Sequence, residues 1–257
     1  MVTKAVTEYN HNRPFKCIVL VGDLVNKGPH SAQVIQFVRA QRHWFTVRGN
    51  HDDGALRAAL SLGLWCDDTE AQQQQLVDLS KSKYSWVDRD EESSSNISLT
   101  DEDVQWLAEL PYTIRISETT AAGSSTSTSS NGDTIIVHAG LLPGIQLQHQ
   151  TIPNMVVLRD VLFDEKAKTY IGFENAIRPD ETNESQPQPL PWGKVWSGPE
   201  HVIFGHDAKR GLQTHRHATG LDTGACYGKQ LTGIILPDRT LVSVDAEAIH
   251  CPIADRG

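Results

Sequence analysis

Four short clusters in this chain have the residue types and the placement to bind a divalent transition metal: Gly22-Asp23, Gly49-Asn50-His51-Asp52, His138-Ala139-Gly140 and Gly205-His206. Each follows a short apolar run, at Cys17 to Val21, Trp44 to Arg48, Thr134 to Val137 and His201 to Phe204. A carboxylate, an amide and two imidazoles form a mixed oxygen and nitrogen donor set. Such a set suits Zn, Mn or Fe(II) and is too rich in imidazole for Ca or Mg. Taken singly, a histidine after a strand is more often a satisfied structural residue, and Gly-Asp is more often a plain turn. Packing gives no reason for the pattern to recur at four run ends.

The elements that must carry these clusters can be read from periodicity. Cys17 to Val21 is a continuous apolar run, the pattern of a strand buried on both faces. Ser31 to Arg42 predicts a helix capped by Ser31, with Val34, Ile35, Phe37 and Val38 on one apolar stripe. Trp44 to Arg48 predicts the next strand. Strand, helix, strand is a βαβ unit, so a parallel sheet follows. In such sheets ligands gather at the carboxyl ends of the strands, and glycine there lets the chain turn tightly.

Further along, about Asp53 to Ser85 reads as helical, with Gln72 to Gln75 as a solvated face. Leu99 to Leu110 reads as a helix with Thr100 as N-cap and Asp103 completing an acidic capping box. Strands are expected at Tyr112 to Ile116, Thr134 to Val137 and His201 to Phe204, and a closing hairpin at Leu231 to Leu236 and Thr240 to Val244. Two polar segments, about 117–133 and 179–191, are too rich in Ser, Thr, Gly, Pro and Gln to bury and are expected to be disordered insertions.

Composition bounds the rest. With 257 residues, 39% hydrophobic and 21% charged, the chain can bury a sizeable core as one domain, 1–257. A formal net charge of -9 argues against nucleic acid or an anionic membrane as partner, so a polyanionic substrate needs a local positive site. The 4 cysteines have no CxxC pair, which argues against a zinc ribbon or disulfide framework and for a reducing compartment. No apolar run approaches the roughly 20 residues of a membrane span, and the first residues are polar. The expected location is cytoplasmic, or vacuolar if an upstream segment carries an anchor.

The motif Gly22-Asp23-Leu24-Val25-Asn26-Lys27-Gly28-Pro29, followed by Arg48-Gly49-Asn50-His51-Asp52, His138-Ala139-Gly140 and Phe204-Gly205-His206, resembles the calcineurin-like phosphoesterases in order and spacing. Gly220 to Ala225 and Lys229 to Thr232 look like the branch containing symmetrical diadenosine tetraphosphatase and fungal zinc-dependent endopolyphosphatases, itself similar to Ser/Thr protein phosphatases. The resemblance implies an α/β fold, a β-sandwich flanked by helices in four αββα layers. It implies a phosphoryl-transfer site in which two metals, about 3.5–4 Å apart, activate a hydroxide for in-line attack.

Carried over position by position, Asp23 matches the bridging carboxylate, and Asn50, His138 and His206 match the other ligands of one metal. His51 matches the general acid that protonates the leaving oxygen. Lys27 and Arg48 stand beside these ligands as phosphate-binding cations, with Arg159 and the Lys209-Arg210 pair as further candidates for a longer phosphate chain.

Two departures qualify the match. The family's opening Asp-x-His motif has no counterpart before Asp23, where His11 is the only histidine. The expectation is an N-terminally truncated domain, lacking its first strand and with one metal position complete. Asn26 stands where protein phosphatases place an Asp behind the acidic histidine, and Lys27 replaces an Arg. Both changes favour phosphoanhydrides, whose leaving groups need less acid assistance. The expected function is therefore metal-dependent hydrolysis of polyphosphate or dinucleoside polyphosphates. The alternatives are a Ser/Thr phosphatase-like phosphomonoesterase and a pseudoenzyme that binds one metal without turnover.

Overall fold

A computed structural model of the chain describes residues 15–61, 99–117, 132–172 and 188–251. At the centre lie two largely apolar runs, β4 (Thr134–Val137) and β8 (His201–Phe204), each buried along its whole length. They pair in parallel, with Ile135 opposite Val202 and Ile136 opposite Ile203. Burial on both faces is what a continuous apolar run without alternation demands. β3 (Thr113–Ile116) joins β4 antiparallel. On the other side β10 (Ala218–Gly220) pairs parallel with β8, and β9 (Gln213–Thr214) closes the sheet in the order β3-β4-β8-β10-β9.

The two faces of this sheet sort by residue parity. Ile136 and Ile203 pack with Val47, Leu221, Val19, Val21 and Ile234. Those partners bring in the parallel pair β1 (Ile18–Leu20) and β2 (Trp44–Thr46) and the antiparallel hairpin β11 (Gln230–Ile235) and β12 (Thr240–Asp245). The opposite face presents Ile135, Val137, Val202, Phe204 and Ala218 to Met155, Leu158, Val161 and Trp192. These belong to α4 (Ile152–Val157), α5 (Trp192–Val195) and a small sheet of β5 (Asp160–Asp164), β6 (Thr169–Gly172) and β7 (Leu190–Pro191). Trp192 is 1% exposed, and its indole N–H donates to the Ala139 carbonyl at 3.0 Å. A third cluster gathers α1 (Ser31–Ala40), α2 (Asn50–Ser61) and α3 (Asp101–Glu109) around Ile35, Ala55, Leu99 and Leu107. The expected sandwich of β-layers flanked by helices is the fold that forms.

Local expectations fared unevenly. The capping box of α3 is present in full, Thr100 accepting from the Asp103 N–H while Asp103 accepts from the Thr100 N–H. In α1 the buried stripe is Ser31, Ala32, Ile35 and Val38, whereas Val34 and Phe37 are 37% and 48% exposed. Phe37 instead meets Trp44 edge to face at 5.4 Å. Ser31 is the first helical residue, not the cap, and its hydroxyl accepts the Asn26 N–H at 3.0 Å. β1 is half-buried, not buried on both faces, since among the described residues it pairs with β2 alone.

Of the helix expected over Asp53 to Ser85, α2 covers the part up to Ser61 and the remainder lies outside the described residues, Gln72 to Gln75 included. Most of the two polar insertions also lies outside them. The end of the second is a correction: Leu190 and Pro191 form β7, paired with Val161 and Asp160. At the edge of the first, Asp133 pairs with Arg115 at 3.1 Å.

His201 opens β8 and is buried, with Nε2 bonded to the Thr219 hydroxyl at 2.9 Å. Burial, helped by Arg239 and His217, pushes its pKa from the ordinary 6.5 down to about 4. Between those values the unfolded chain binds the extra proton and the folded chain does not. Stability therefore falls as pH drops from 6.5 towards 4, by up to about 1.4 kcal/mol per pH unit from this group. In urea unfolding, His201→Gln is expected to narrow the gap in unfolding free energy between neutral and mildly acidic pH. An unchanged gap would mean that His201 protonates freely within the fold.

Candidate metal centre

The carboxyl ends of β1, β2, β4 and β8 converge, and their four polar clusters meet. His138, directly after β4 and 2% exposed, sets the geometry. Its Nδ1 lies 2.7 Å from the Val21 carbonyl. A carbonyl can only accept, so Nδ1 carries the proton in that bond and Nε2 is left to face the cluster. Around Nε2 stand Asn50 Oδ1 at 3.2 Å, His206 Nδ1 at 3.2 Å and Asp23 Oδ1 at 3.3 Å.

The loops that hold these atoms are strained in a directed way. Gly22, Asp23 and His206 all have positive φ, at 86, 57 and 66°. For the non-glycine pair this is a sparsely used conformation that the surroundings must enforce. At Gly22 a Cβ would sit 2.8 Å from His138 Nδ1 and 2.9 Å from Gly49 N, so the strand ends approach too closely for any side chain.

Asp52 is the enforcing group. Fully buried, it accepts the N–H groups of Asp23, Leu24 and Gly49, each at 2.9 Å, and so stitches the loop after β1 to the start of α2. Burial and the charge of Asp23 push its carboxyl up to about 7, while the three N–H bonds pull the other way. Three donors and no acceptor match a carboxylate.

The two oxygens of Asp23 face different neighbours. Oδ1 accepts the His51 N–H at 3.0 Å and lies beside His138. Oδ2 lies 3.5 Å from Lys27 Nζ and 3.8 Å from His51 Nε2. Burial would raise the Asp23 carboxyl, but His138, His51 and Lys27 outweigh it and hold it below its ordinary value. His51 Nδ1 lies 3.4 Å from the Asn26 amide nitrogen, so Nε2 is the ring nitrogen on the Asp23 side. Asp52 holds backbone N–H groups, and Asp53 bonds Tyr112 and Arg48.

The cations expected to bind substrate divide. Lys27 is beside Asp23, with its ammonium 6.0 Å from the Tyr227 ring centre. Burial lowers its pKa and the neighbouring Asp23, Tyr227 and Asp222 more than restore it, so it stays charged. Arg159 is partly exposed beside His206, donating to the His206 carbonyl at 3.4 Å with Asp207 at 3.7 Å. Arg48 is a correction. It is 8% exposed, and its guanidinium is spent on the carbonyls of Ala108 and Leu110, on Tyr112 and on Asp53, so it braces α3 against the strand end. Arg210 is likewise engaged by two carboxylates, its Nη2 donating to both oxygens of Asp160 at 2.8 and 2.9 Å and its Nη1 to Asp207 at 2.6 Å. Sequence reasoning missed the work of Asp52 and Asp207. An acid three residues after Gly49 at a helix start was the available signal for the first.

The cluster has the character of a cation site. Four acceptor atoms, from Asp23, Asn50, His138 and His206, crowd one point, and a single proton could bridge only one pair of them. His206 stays neutral, its pKa pushed down to about 3 by burial and then by His138 and Arg159. Its Nε2 is buried without a protein partner among the described residues. Asp23, His138 and His206 offer ligand atoms within 4.8 Å of one another. The donor set and the carbonyl-anchored histidine suit a divalent transition metal.

Comparison with known proteins agrees with this chemistry. The family profile described as calcineurin-like phosphoesterase matches residues 3–210. A symmetrical bis(5'-nucleosyl)-tetraphosphatase of Coxiella burnetii is 27% identical over 272 aligned positions, covering 89% of this chain and 81% of the relative. An asymmetrical bis(5'-nucleosyl)-tetraphosphatase of Bacillus cereus is 27% identical over 89 residues, 35% of this chain and 36% of that one. Among solved structures, a candidate diadenosine tetraphosphatase superposes with a TM-score of 0.62 at 27% identity, covering 95% of this chain and 86% of the other.

Two substitutions test how the loops hold the ligands. Asp52→Asn puts an amide against three N–H donors, and Gly49→Ala drives a Cβ to 2.6 Å from Asp23 N and 2.9 Å from His138 Cε1. Each is expected to weaken Mn binding by roughly 10–100-fold in a calorimetric titration. Wild-type affinity in both would refute the account of the strand-end loops.

Proposed function

The chain belongs to the calcineurin-like phosphoesterase family of metal-dependent hydrolases, and from that premise we propose that it cleaves the phosphoanhydride bonds of dinucleoside polyphosphates or inorganic polyphosphate. The observation that carries this reading is the pairing of one acceptor cluster, Asp23, Asn50, His138 and His206, with an acidic histidine backed by an amide. In this reading those four residues hold a divalent ion of the Zn, Mn or Fe type. When bound, it would supply Lewis acidity and an activated water.

The remaining roles fall to side chains of the chain itself. Lys27 and Arg159 flank the cluster as fixed positive charges for phosphate oxygens. His51 presents Nε2 on the Asp23 side and, doubly protonated, would deliver that proton to the leaving oxygen, with the Asn26 amide turned so that its oxygen accepts the Nδ1–H. Asn26 orients the ring without the charge that would stabilise an imidazolium, so acid assistance is modest. A phosphate leaving group needs little. A serine alkoxide needs much more, which sets the phosphoprotein reading second. The names of the tetraphosphatase relatives support the first.

Assaying the full chain with Mn, Zn or Co against diadenosine tetraphosphate, polyphosphate, a phosphoserine peptide and p-nitrophenyl phosphate tests the choice. Turnover is expected on one of the first two, with the phosphopeptide slowest. Faster cleavage of the phosphopeptide would favour the phosphatase reading, and metal binding with no turnover at all would make the chain a pseudoenzyme. His51→Asn is expected to keep the metal and slow hydrolysis roughly 100-fold or more. A fully active variant would remove His51 from the mechanism.

A further inference from the structure

Two cysteines far apart in sequence meet beside the site, and we propose that Cys226 and Cys251 form a reversible disulfide. Spacing alone suggested no such pair. The Cys226 carbonyl accepts the N–H groups of both His250, at 3.0 Å, and Cys251, at 2.9 Å, and Tyr227 forms an antiparallel bridge with Ile249. Two N–H groups on one carbonyl make a bulge, in which His250 and Cys251 together stand opposite Cys226, at the roughly 4.5–5.5 Å between Cα atoms of opposed residues. This falls inside the window of roughly 4.4–6.8 Å that a disulfide requires.

The contact between the two segments is tight. Gly228 has φ 79° and leaves no room for a Cβ against Ile249. Both thiols are free and partly exposed, within reach of a small oxidant. Burial raises the Cys226 thiol, Lys27 lowers it, and Asp222 and then Cys251 raise it further, so the two sulfurs and the ammonium share one electrostatic neighbourhood. The turn so fastened carries Tyr227, whose ring lies beside Lys27, itself 3.5 Å from Asp23.

The oxidant class is a small-molecule disulfide. One cysteine thiolate attacks its S–S bond, forming a mixed disulfide and releasing one thiolate. The second cysteine displaces the other thiolate, and the two protons lost by the cysteines are taken up by the departing pair. The result is one protein disulfide and two small thiols, and an excess of thiol runs it backwards.

Treating the full chain with oxidised glutathione and digesting it with trypsin without reductant reads the bond directly. Peptides 217–229 and 240–256 are expected to appear linked, and to separate on reduction. Oxidation is expected to raise the thermal midpoint by roughly 5 °C, because the bond closes the loop between the two cysteines. Cys226→Ser and Cys251→Ser should each abolish both effects. Separate capping of the two cysteines by glutathione, or links to Cys17 or Cys66 instead, would overturn the proposal. So would a link that leaves the midpoint unmoved.

Discussion

The hydrogen bond from His138 to the Val21 carbonyl joins the five-stranded sheet to the β1-β2 pair, and the site depends on it. It fixes which imidazole nitrogen carries the proton, and so which one is available to a cation. It also brings the end of β4 to the end of β1 across the apolar layer of Val21, Ile136 and Ile203. Asp52 does the same for β1 and β2 by collecting three backbone N–H groups. Together they turn strand ends from two sheets into one frame, which is how a residue such as Asp23 is kept at a φ that an unconstrained chain would leave.

The charged residues around this frame serve largely as braces. Asp207 follows His206 and, buried, takes Arg210, Gln213 and, more distantly, Arg159. Arg210 reaches on to Asp160, so the loop after β8 is tied to β5. Arg48 ties the end of β2 to the last carbonyls of α3. Of the cations singled out from the sequence, Lys27 and Arg159 are two that lie beside the cluster, in a chain whose net charge is -9.

What the sequence made legible was local. Thr100 and Asp103 lie three residues apart and bond each other, so the cap could be read directly. β4, β8 and the β11-β12 hairpin announce themselves as apolar runs between polar residues. The four ligand clusters were visible because each ends such a run. Harder were features decided by a distant partner. Val34 and Phe37 look as apolar as Ile35, but only the arrival of α2 and α3 decides which side of α1 is covered. Arg48 looks like a phosphate ligand until α3 presents its carbonyls some 60 residues later. β5 and β6 are short and half-polar, with no run or turn signal to separate them from loop.

The candidate cluster draws on Asp23, Asn50, His138 and His206, which lie at the strand ends of two sheets and span most of the described chain. Contacts of such long sequence separation close late, because the intervening loops must be ordered first. Either sheet alone carries only part of the donor set, Asp23 and Asn50 on one and His138 and His206 on the other. A cation held by these four residues would therefore bind the finished fold and stabilise it over the unfolded chain.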